Sequence, residues 1–455
     1  MRPRGPDWTP ISGVASSPRF PQSDAPSPMI WFYRLFFIPV LIVMAPAYLR
    51  RMRRRGGYRE NFAQRFGGHP WLPKKAPGVR RVWLQAVSVG EMLAIGPLLE
   101  ALRRDGTEVY LTTTTSTGYR LATDKYQAHT VGIGYFPIDW WPFSARAWRR
   151  IKPDLAILTE GERWPEHLRQ AQKRGVPVLC INARLSDRSF ARMKWFGPAA
   201  QLLVSGVTRF LACSAQDEAR LRELGVPADK LTLTGNIKLD VQIPRLADAE
   251  RGQLRRELGL PDGLVLLGSS TWAGEEEAML GALRLTRERG VRCALILVPR
   301  HAERRLDVER LLVKSKLKFH FRSKGPAPGE VDVLVGDTTG ELRNLTQLAD
   351  VVFVGKSLLP HTDGQTPVEA AALGKPIIFG PGMGNFRLLS RDLLARGAAR
   401  EVADAAALAE VAQELLRDAS RREALAAAAA VWRCDNAGAV ARTLAVIREE
   451  LARLR

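Results

Sequence analysis

The chain has 455 residues and a formal net charge of +21, from 68 Lys and Arg against 47 Asp and Glu. This length suggests two or three domains, and a chain with 46% hydrophobic residues is too apolar to be disordered. Four widely spaced cysteines without a Cys-x-x-Cys pair exclude a disulfide scaffold and a zinc ribbon, and favour a reducing compartment. The absence of His-Glu-x-x-His and Asp-x-Asp motifs argues against a dedicated metal centre.

The positive charge is concentrated near the amino terminus. Residues 1–80 contain fourteen Lys and Arg but only three Asp and Glu, which is about half of the total excess. A nucleic-acid-binding protein is expected to carry its charge on a folded surface interleaved with aromatic residues. Here the charge lies beside the most apolar stretch of the chain, so it indicates a membrane surface and no nucleic-acid partner.

The amino-terminal segment predicts a membrane anchor. Residues 1–28 are rich in Pro, Ser and Arg and are predicted to be disordered. The apolar run Met29–Leu49 would be about 30 Å long as a helix, and the arginine-rich run Arg50–Arg55 should stay cytoplasmic. We therefore predict one anchor with its basic flank over residues 29–55. A buried core helix, an interfacial helix and translation from Met29 remain open as alternatives, whereas a signal-peptide cleavage site is lacking.

From Val82 onward, short β-rich runs alternate with helical stretches such as Glu91–Arg104 and Trp164–Arg174. This alternation predicts an α/β protein with two doubly wound, Rossmann-like domains that face a cleft, over residues 56–240 and 241–455. The second domain ends in helices from Ala403 onward. The predicted strands are 82–87, 108–112, 155–158, 176–181, 209–212, 264–268, 293–298, 331–335, 351–354 and 376–379.

Ligands of doubly wound folds bind at the carboxyl ends of the strands, so the residues that follow each strand carry the functional information. No Gly-x-Gly-x-x-Gly follows a strand, and no Gly-x-x-x-x-Gly-Lys-Ser/Thr is present. Dinucleotide oxidoreductases and P-loop enzymes are therefore disfavoured.

Several acidic and polar residues follow strands of the first half. Glu91 is either a carboxylate favoured by a helix dipole, with Ser88 as the N-cap, or a general base. The threonine-rich run 111–118 either binds a ligand or serves strand formation and N-capping. Glu160 and Glu162 add nothing to a core and look functional, and Lys238 is expected near the cleft.

The second half has small-residue loops at its strand ends. The segment 268–277 predicts a phosphate-binding nest, and Arg300 ends another strand. The segments 337–341 and 364–369 each place backbone amides and a glutamate at a helix start, where capping is the alternative interpretation. Together these loops predict a nucleotide site.

In combination, the motifs resemble those of bacterial 3-deoxy-D-manno-octulosonic acid (Kdo) transferases. This resemblance implies a metal-independent, inverting glycosyltransferase of the GT-B fold, without a cofactor. It implies CMP-Kdo as donor, the lipid A precursor lipid IVA as acceptor, and the cytoplasmic leaflet of the inner membrane as location. The matching stretches are 58–67, 86–91, 182–186, 234–238, 298–301, 336–342 and 385–386.

The resemblance also implies roles for individual residues. Glu91 would deprotonate the acceptor hydroxyl, while Glu160 and Lys238 would stabilise the transition state. The residues implied to bind CMP are Pro299, Arg300, Thr339, Gly340, Glu341, Thr366, Pro367, Val368 and Glu369.

The sequence departs from the family pattern at several positions. The usual residues are replaced by Gln85, Trp272, Lys356, Gly382 and the loop 363–369, which includes Gln365 and Thr366. Two alternatives therefore stay open: a divergent transferase with another ulosonate donor, and a membrane-tethered binding module without turnover. Retention of the charged site residues favours a transferase.

Overall fold

The computed structural model describes residues 28–55 and 60–454. The predicted disordered extension lies outside the described residues except for Pro28. Helix α1, Pro28–Arg55, includes one segment, Met29–Ala47, that is long and apolar enough to cross a bilayer, with a mean hydropathy of 1.9. Length and composition alone are weak evidence for an anchor, since a signal sequence near an amino terminus has the same properties.

The first half of the chain forms one seven-stranded sheet. Its strands are β1 Arg81–Gln85, β2 Glu108–Thr113, β3 Gly132–Tyr135, β4 Leu155–Thr159, β5 Val178–Ala183, β6 Arg209–Ala212 and β7 Leu231–Leu233. Its helices are α2 Val89–Ala94, α3 Gly96–Arg104, α4 Ser116–Tyr126, α5 Trp141–Ile151, α6 Pro165–Lys173, α7 Asp187–Phe196, α8 Pro198–Val204 and α9 Ala215–Glu223.

The second half forms another seven-stranded sheet. Its strands are β8 Leu264–Thr271, β9 Cys293–Pro299, β10 Phe319–Phe321, β11 Val333–Val335, β12 Val351–Val354, β13 Ile377–Phe379 and β14 Ala399–Glu401. The helices that follow α9 are α10 Asp248–Glu257, α11 Glu275–Glu288, α12 Arg305–Ser315, α13 Leu342–Leu348, α14 Val368–Ala372, α15 Arg387–Ala395, α16 Ala405–Arg417, α17 Ala419–Asn436 and α18 Ala439–Arg453.

The strand pairings in the two sheets are parallel. The first sheet has the order β3-β2-β1-β4-β5-β6-β7, and the second has β10-β11-β9-β8-β12-β13-β14. The chain reverses its direction of winding between β1 and β4 in the first sheet, and between β8 and β12 in the second. These two switch points are where ligands of doubly wound folds bind. The predicted α/β class with two doubly wound sheets is confirmed.

Some predicted elements differ in detail. The short strands β3, β7, β10 and β14 were not predicted, because three or four residues give little periodicity. The helix predicted over 91–104 is two helices, since α2 ends at Ala94 and α3 starts at Gly96 with Pro97 in its first turn. Proline at that position has no amide hydrogen to continue the preceding helix.

The carboxyl-terminal helix α18 packs on the first sheet, although it follows the second in sequence. Ala439 and Ile447 are fully buried in the same apolar cluster as Val82 and Leu84 of β1. Arg448 of α18 also donates to both carboxylate oxygens of Asp105, at 2.7 and 2.9 Å. The sequence-based division at residue 240 therefore does not describe the packing of α18.

This packing predicts that Ile447→Ala destabilises the first half of the protein. Removing a fully buried isoleucine side chain costs about 2–5 kcal/mol in free energy of unfolding. Val431→Ala is the matched control, because Val431 lies on α17 and is 58% exposed. Thermal unfolding should show a clearly lower melting temperature for Ile447→Ala than for the wild type, and almost no change in melting temperature for Val431→Ala. Equal melting temperatures would contradict the assignment of α18 to the first core.

Candidate active site

The first switch point holds a buried carboxylate. Glu91, in the first turn of α2, is 8% exposed and accepts hydrogen bonds at both oxygens. Oε2 accepts from the Val87 amide at 3.0 Å and from the Thr159 hydroxyl at 2.6 Å, and Oε1 accepts from the Ser88 hydroxyl at 2.8 Å. Ser88 also caps α2 by accepting from the Glu91 amide, as predicted. Thr159 ends β4, so this cluster joins the ends of β1 and β4.

Glu160 and Lys238 form an ion pair next to this carboxylate. The Lys238 ammonium contacts Glu160 Oε1, which also accepts from Asn182 Nδ2 at 3.3 Å. Both side chains are partly exposed, at 27% for Lys238 and 19% for Glu160. Glu160 and Asn182 have positive φ angles, 52° and 50°. Such backbone strain in non-glycine residues is concentrated at functional sites.

The second predicted carboxylate of this turn, Glu162, is also near the pair. Burial raises the pKa of Glu162, and the negative charges of Glu91 and Glu160 raise it further. The Trp164 indole opposes this effect by donating to Glu162 Oε2 at 2.9 Å. The structure therefore brings Glu91, Glu160, Glu162 and Lys238 together at one sheet edge.

The threonine run has a structural role. Thr113 and Thr115 both donate to the Val87 carbonyl, at 3.2 and 3.0 Å, and Thr115 caps α4. These bonds hold the loop that carries Ser88 and Glu91. Of the two interpretations of the run, N-capping is the one that these hydrogen bonds support.

The second switch point has an aromatic and basic surface. Trp272, Arg300 and Lys356 follow β8, β9 and β12, which are neighbours in the sheet. The Lys356 ammonium lies 4.4 Å from the centre of the Trp272 ring and 2.6 Å from a carboxylate oxygen of Asp363. The Arg300 side chain is exposed, and no ion pair to it is found within the described residues.

The loops around this surface are organised by one buried carboxylate. Glu275, at the start of α11, is 1% exposed. Its oxygens accept from the backbone amides of Trp272, Lys356, Ser357 and Leu358, at 2.7–3.1 Å. Within the segment 268–277, which was predicted to form a phosphate nest, Glu275 occupies the Trp272 amide. The phosphate nest itself stays a prediction. The next glutamate, Glu276, is likewise engaged by both terminal nitrogens of Arg304.

The other predicted nucleotide-binding residues lie at the same edge of the second sheet. Glu341 precedes α13 and pairs with Arg322, and Glu369 in α14 accepts from Arg343 at 2.8 Å. Thr339, Gly340 and Thr366 are exposed residues. Pro367 and Val368 are buried, so their side chains are unavailable to a ligand in this state. Pro299, the last residue of β9, is half-buried.

The departures from the family pattern are linked by contacts in the second sheet. Trp272, Lys356 and Asp363 form the stack and ion pair described above. Gly382 lies under the same loop, where a Cβ atom would clash with the His361 carbonyl oxygen. Gln85, by contrast, is buried in the first domain and accepts from Thr112 at 2.8 Å.

The sequence did not identify three residues that organise these sites. Thr159 positions Glu91, Asn182 binds Glu160, and Glu275 holds the β12 loop. Each of them forms hydrogen bonds with residues distant in sequence, and such contacts cannot be predicted from a local pattern. The one available signal was the position of Thr159 directly after the predicted strand 155–158. Within the described ranges, no hydrogen bond or ion pair connects the Glu91 cluster directly to the Trp272 cluster.

Comparisons with known proteins agree on one family. A family model for "3-Deoxy-D-manno-octulosonic-acid transferase (kdotransferase)" matches residues 60–241. The 3-deoxy-D-manno-octulosonic acid transferase of Bordetella pertussis is 36% identical over 88% of this chain and 95% of its own. The enzyme of the same name from Haemophilus influenzae is 32% identical over 92% of this chain and 96% of its own.

A solved structure supports the architecture. The UDP-GlcNAc 2-epimerase from Neisseria meningitidis, solved with UDP-GlcNAc, aligns with a TM-score of 0.53 over 82% of this chain and 100% of that chain. Its sequence identity is 14%, so the likeness concerns the fold alone. The GT-B architecture expected from the sequence is thus confirmed. Because the relatives match nearly the whole length of the sequence, this chain belongs to the 3-deoxy-D-manno-octulosonic acid transferase family of glycosyltransferases.

Proposed function

We propose that this protein transfers Kdo from CMP-Kdo to lipid IVA, with inversion at the anomeric carbon and without a metal ion. The observation that carries the proposal is the Glu91 carboxylate at the first switch point, beside the Glu160–Lys238 pair. These are the groups that the family resemblance assigns to catalysis. The names of the relatives support the Kdo group as the unit transferred.

Glu91 is the general base of the proposed reaction. One backbone amide and two hydroxyls donate to the Glu91 carboxylate and fix it, while its two oxygens have enough lone pairs to accept the proton of an acceptor hydroxyl as well. The acceptor oxygen then forms a bond to the anomeric carbon of Kdo. The bond from that carbon to the CMP phosphate breaks, and the electron pair leaves with CMP.

Glu160 and Lys238 stabilise the charges that develop in this step. The anomeric carbon becomes positive in an oxocarbenium-like transition state, which the Glu160 carboxylate stabilises. The departing phosphate becomes more negative, and the Lys238 ammonium stabilises it. Their ion pair holds both groups in place before the substrates bind.

The CMP moiety is bound at the second switch point in this proposal. Arg300 offers an exposed guanidinium for the phosphate. The exposed residues Thr339, Gly340 and Thr366 offer hydrogen-bond donors, and Glu341 and Glu369 offer acceptors for ribose hydroxyls. The Lys356 ammonium, which lies over the Trp272 ring, adds a positive charge that can bind the carboxylate group of the donor sugar. This cation favours a donor sugar that carries a carboxylate group, as Kdo does.

Metal independence rests on the same charged residues. Among the residues that the structure describes, no group of three or more His, Cys, Asp or Glu side chains has the arrangement of a metal site. The phosphate charge is instead neutralised by Lys238 and Arg300.

The proposed membrane location rests on α1 and its arginines. Lipid IVA is a membrane lipid, so the enzyme must work at a bilayer surface. We propose that α1 holds the protein on the cytoplasmic leaflet of the inner membrane, where the Arg50–Arg55 run meets anionic headgroups.

The direct test is release of CMP by the purified protein supplied with CMP-Kdo and lipid IVA. We expect release that requires both substrates and persists in EDTA. Release that stops in EDTA and returns with magnesium would contradict metal independence. CMP binding without release would support the alternative of an inactive binding module.

Glu91→Gln should lower turnover by roughly 10²–10⁴, the usual contribution of a positioned base. The amide oxygen still accepts from Val87 and Thr159, and the amide nitrogen donates to Ser88, so the fold should be unaffected. Glu100→Gln, at an exposed position on α3, is the matched control and should behave like the wild type. Turnover and melting temperature should be measured on both variants. Near-normal turnover with Glu91→Gln would instead favour Glu160 or Glu162 as the base.

A further inference from the structure

Helix α1 has two apolar faces with different surroundings. One face, here called the inner face, is half-buried against the first domain and contains Tyr33, Arg34, Phe37, Ile38 and Leu41. The opposite, outer face is exposed. Its residues are Phe32 (58% exposed), Leu35 (67%), Phe36 (60%), Val40 (54%), Val43 (80%) and Met44 (62%). A helix with apolar residues on every side requires an apolar partner on each side.

The inner face is attached to the domain by specific polar contacts near the helix start. The Tyr33 hydroxyl donates to Asp139 at 2.7 Å, and the Arg34 guanidinium binds both oxygens of Glu166 at 2.9 and 3.1 Å. Asp139 is 3% exposed and Glu166 is fully buried. Burial raises the pKa of Asp139 to about 7. Two buried carboxylates of the folded domain therefore depend on donors from α1, and Glu166 would lose its salt bridge without Arg34.

The chain also returns to the same domain after the helix. The 3₁₀ helix Phe62–Phe66 contacts the first domain through two hydrogen bonds. The Gln64 side chain accepts from the Tyr135 amide at 2.9 Å, and the Arg65 carbonyl accepts from the Ile138 amide at 2.8 Å. The residues between Arg55 and Phe62 can extend at most about 25 Å. The start of α1 thus contacts the first domain directly, and its end is tethered to the same domain by this short segment.

These attachments are incompatible with a spanning helix. A single spanning helix places its two ends on opposite sides of a hydrocarbon core about 30 Å thick. Beyond the contacts of Tyr33 and Arg34, the apolar stretch from Leu35 to Leu49 is only about 22 Å long.

We infer that α1 is a monotopic helix, docked on the first domain through Tyr33 and Arg34 and embedded by its outer face in a single leaflet. This inference rests on the membrane location proposed above and specifies its geometry. The bilayer surface is the partner that the outer face fits, since that face is apolar and the helix ends in the arginine run Arg50–Arg55.

Neighbouring aromatic residues extend this surface. Trp141 is 53% exposed beside Arg34, and Trp195 (80%) and Phe196 (51%) end α7, which directly precedes α8. Helix α1 contacts α8 and α4, and α4 packs against α2, which carries Glu91. A leaflet held against α1 would therefore lie on the side of the domain from which a lipid-linked acceptor reaches Glu91.

The test measures from which side of the membrane two cysteine reporters react with a membrane-impermeant maleimide. The reagent is added to spheroplasts, where it reaches the periplasmic side, and to inside-out vesicles, where it reaches the cytoplasmic side. Cys434 is exposed on α17 and reports the folded domain. A Ser27→Cys, Cys434→Ser variant reports the start of α1, with Cys434→Ser alone as background. We expect both reporters to react only in inside-out vesicles. Reaction of the Ser27→Cys reporter in spheroplasts would overturn the monotopic arrangement and leave the proposed membrane location intact. Protein found only in the soluble fraction would overturn the membrane location itself.

A pair of variants tests the docking contact in the full chain. Arg34→Gln should lower the melting temperature in detergent by roughly 5–10 °C, because it leaves Glu166 buried without its salt bridge. Arg50→Gln, on the exposed part of the same helix, should leave the melting temperature unchanged. Equal melting temperatures for the two variants would show that α1 is independent of the domain and would overturn the docking. If Arg34→Gln fails to fold, a milder Tyr33→Phe variant gives the same comparison.

Discussion

The parallel direction of the strands determines where the chemistry of this protein lies. In a parallel sheet the carboxyl ends of all strands meet at one edge, so residues that follow different strands become neighbours. Thr159 is the last residue of β4, yet its hydroxyl donates to Glu91, which follows β1, at 2.6 Å. The same constraint in the second sheet brings Trp272 and Lys356 into contact.

Strained backbone accompanies both sites. Glu160 and Asn182 in the first sheet, and Ser270 and Lys356 in the second, have φ angles of 50–56°. The surrounding hydrogen bonds maintain this conformation, most clearly where the Glu275 carboxylate accepts from the amides of the β12 loop. The buried carboxylates thus divide into two kinds. Glu275 accepts from four backbone amides, while Glu91 accepts from one backbone amide and two hydroxyls at the first switch point.

Much of this organisation could be predicted from the sequence. The alternation of strands and helices predicted the α/β class, and the positions after strands indicated Glu91, Glu160 and Glu162 as candidate functional residues. The grouping of Glu91, Glu160 and Lys238 came from the resemblance to Kdo transferases. The phosphate nest at 268–277 stays a prediction, although the Glu275 carboxylate occupies one of its amides, that of Trp272, together with three amides of the β12 loop. The docking of α1 could not be predicted. Its apolar pattern is the same for a spanning and an embedded helix, and only the partners of Tyr33 and Arg34 distinguish them.

In the proposed reaction, the first sheet activates the acceptor and the second sheet binds the nucleotide. Calorimetric titration of CMP into Glu91→Gln and Arg300→Ala tests this division directly. We expect Glu91→Gln to bind CMP like the wild type and Arg300→Ala to bind it about 10–100-fold more weakly, which is the effect of one charged hydrogen bond to a phosphate. Weakened binding by Glu91→Gln together with unchanged binding by Arg300→Ala would contradict it.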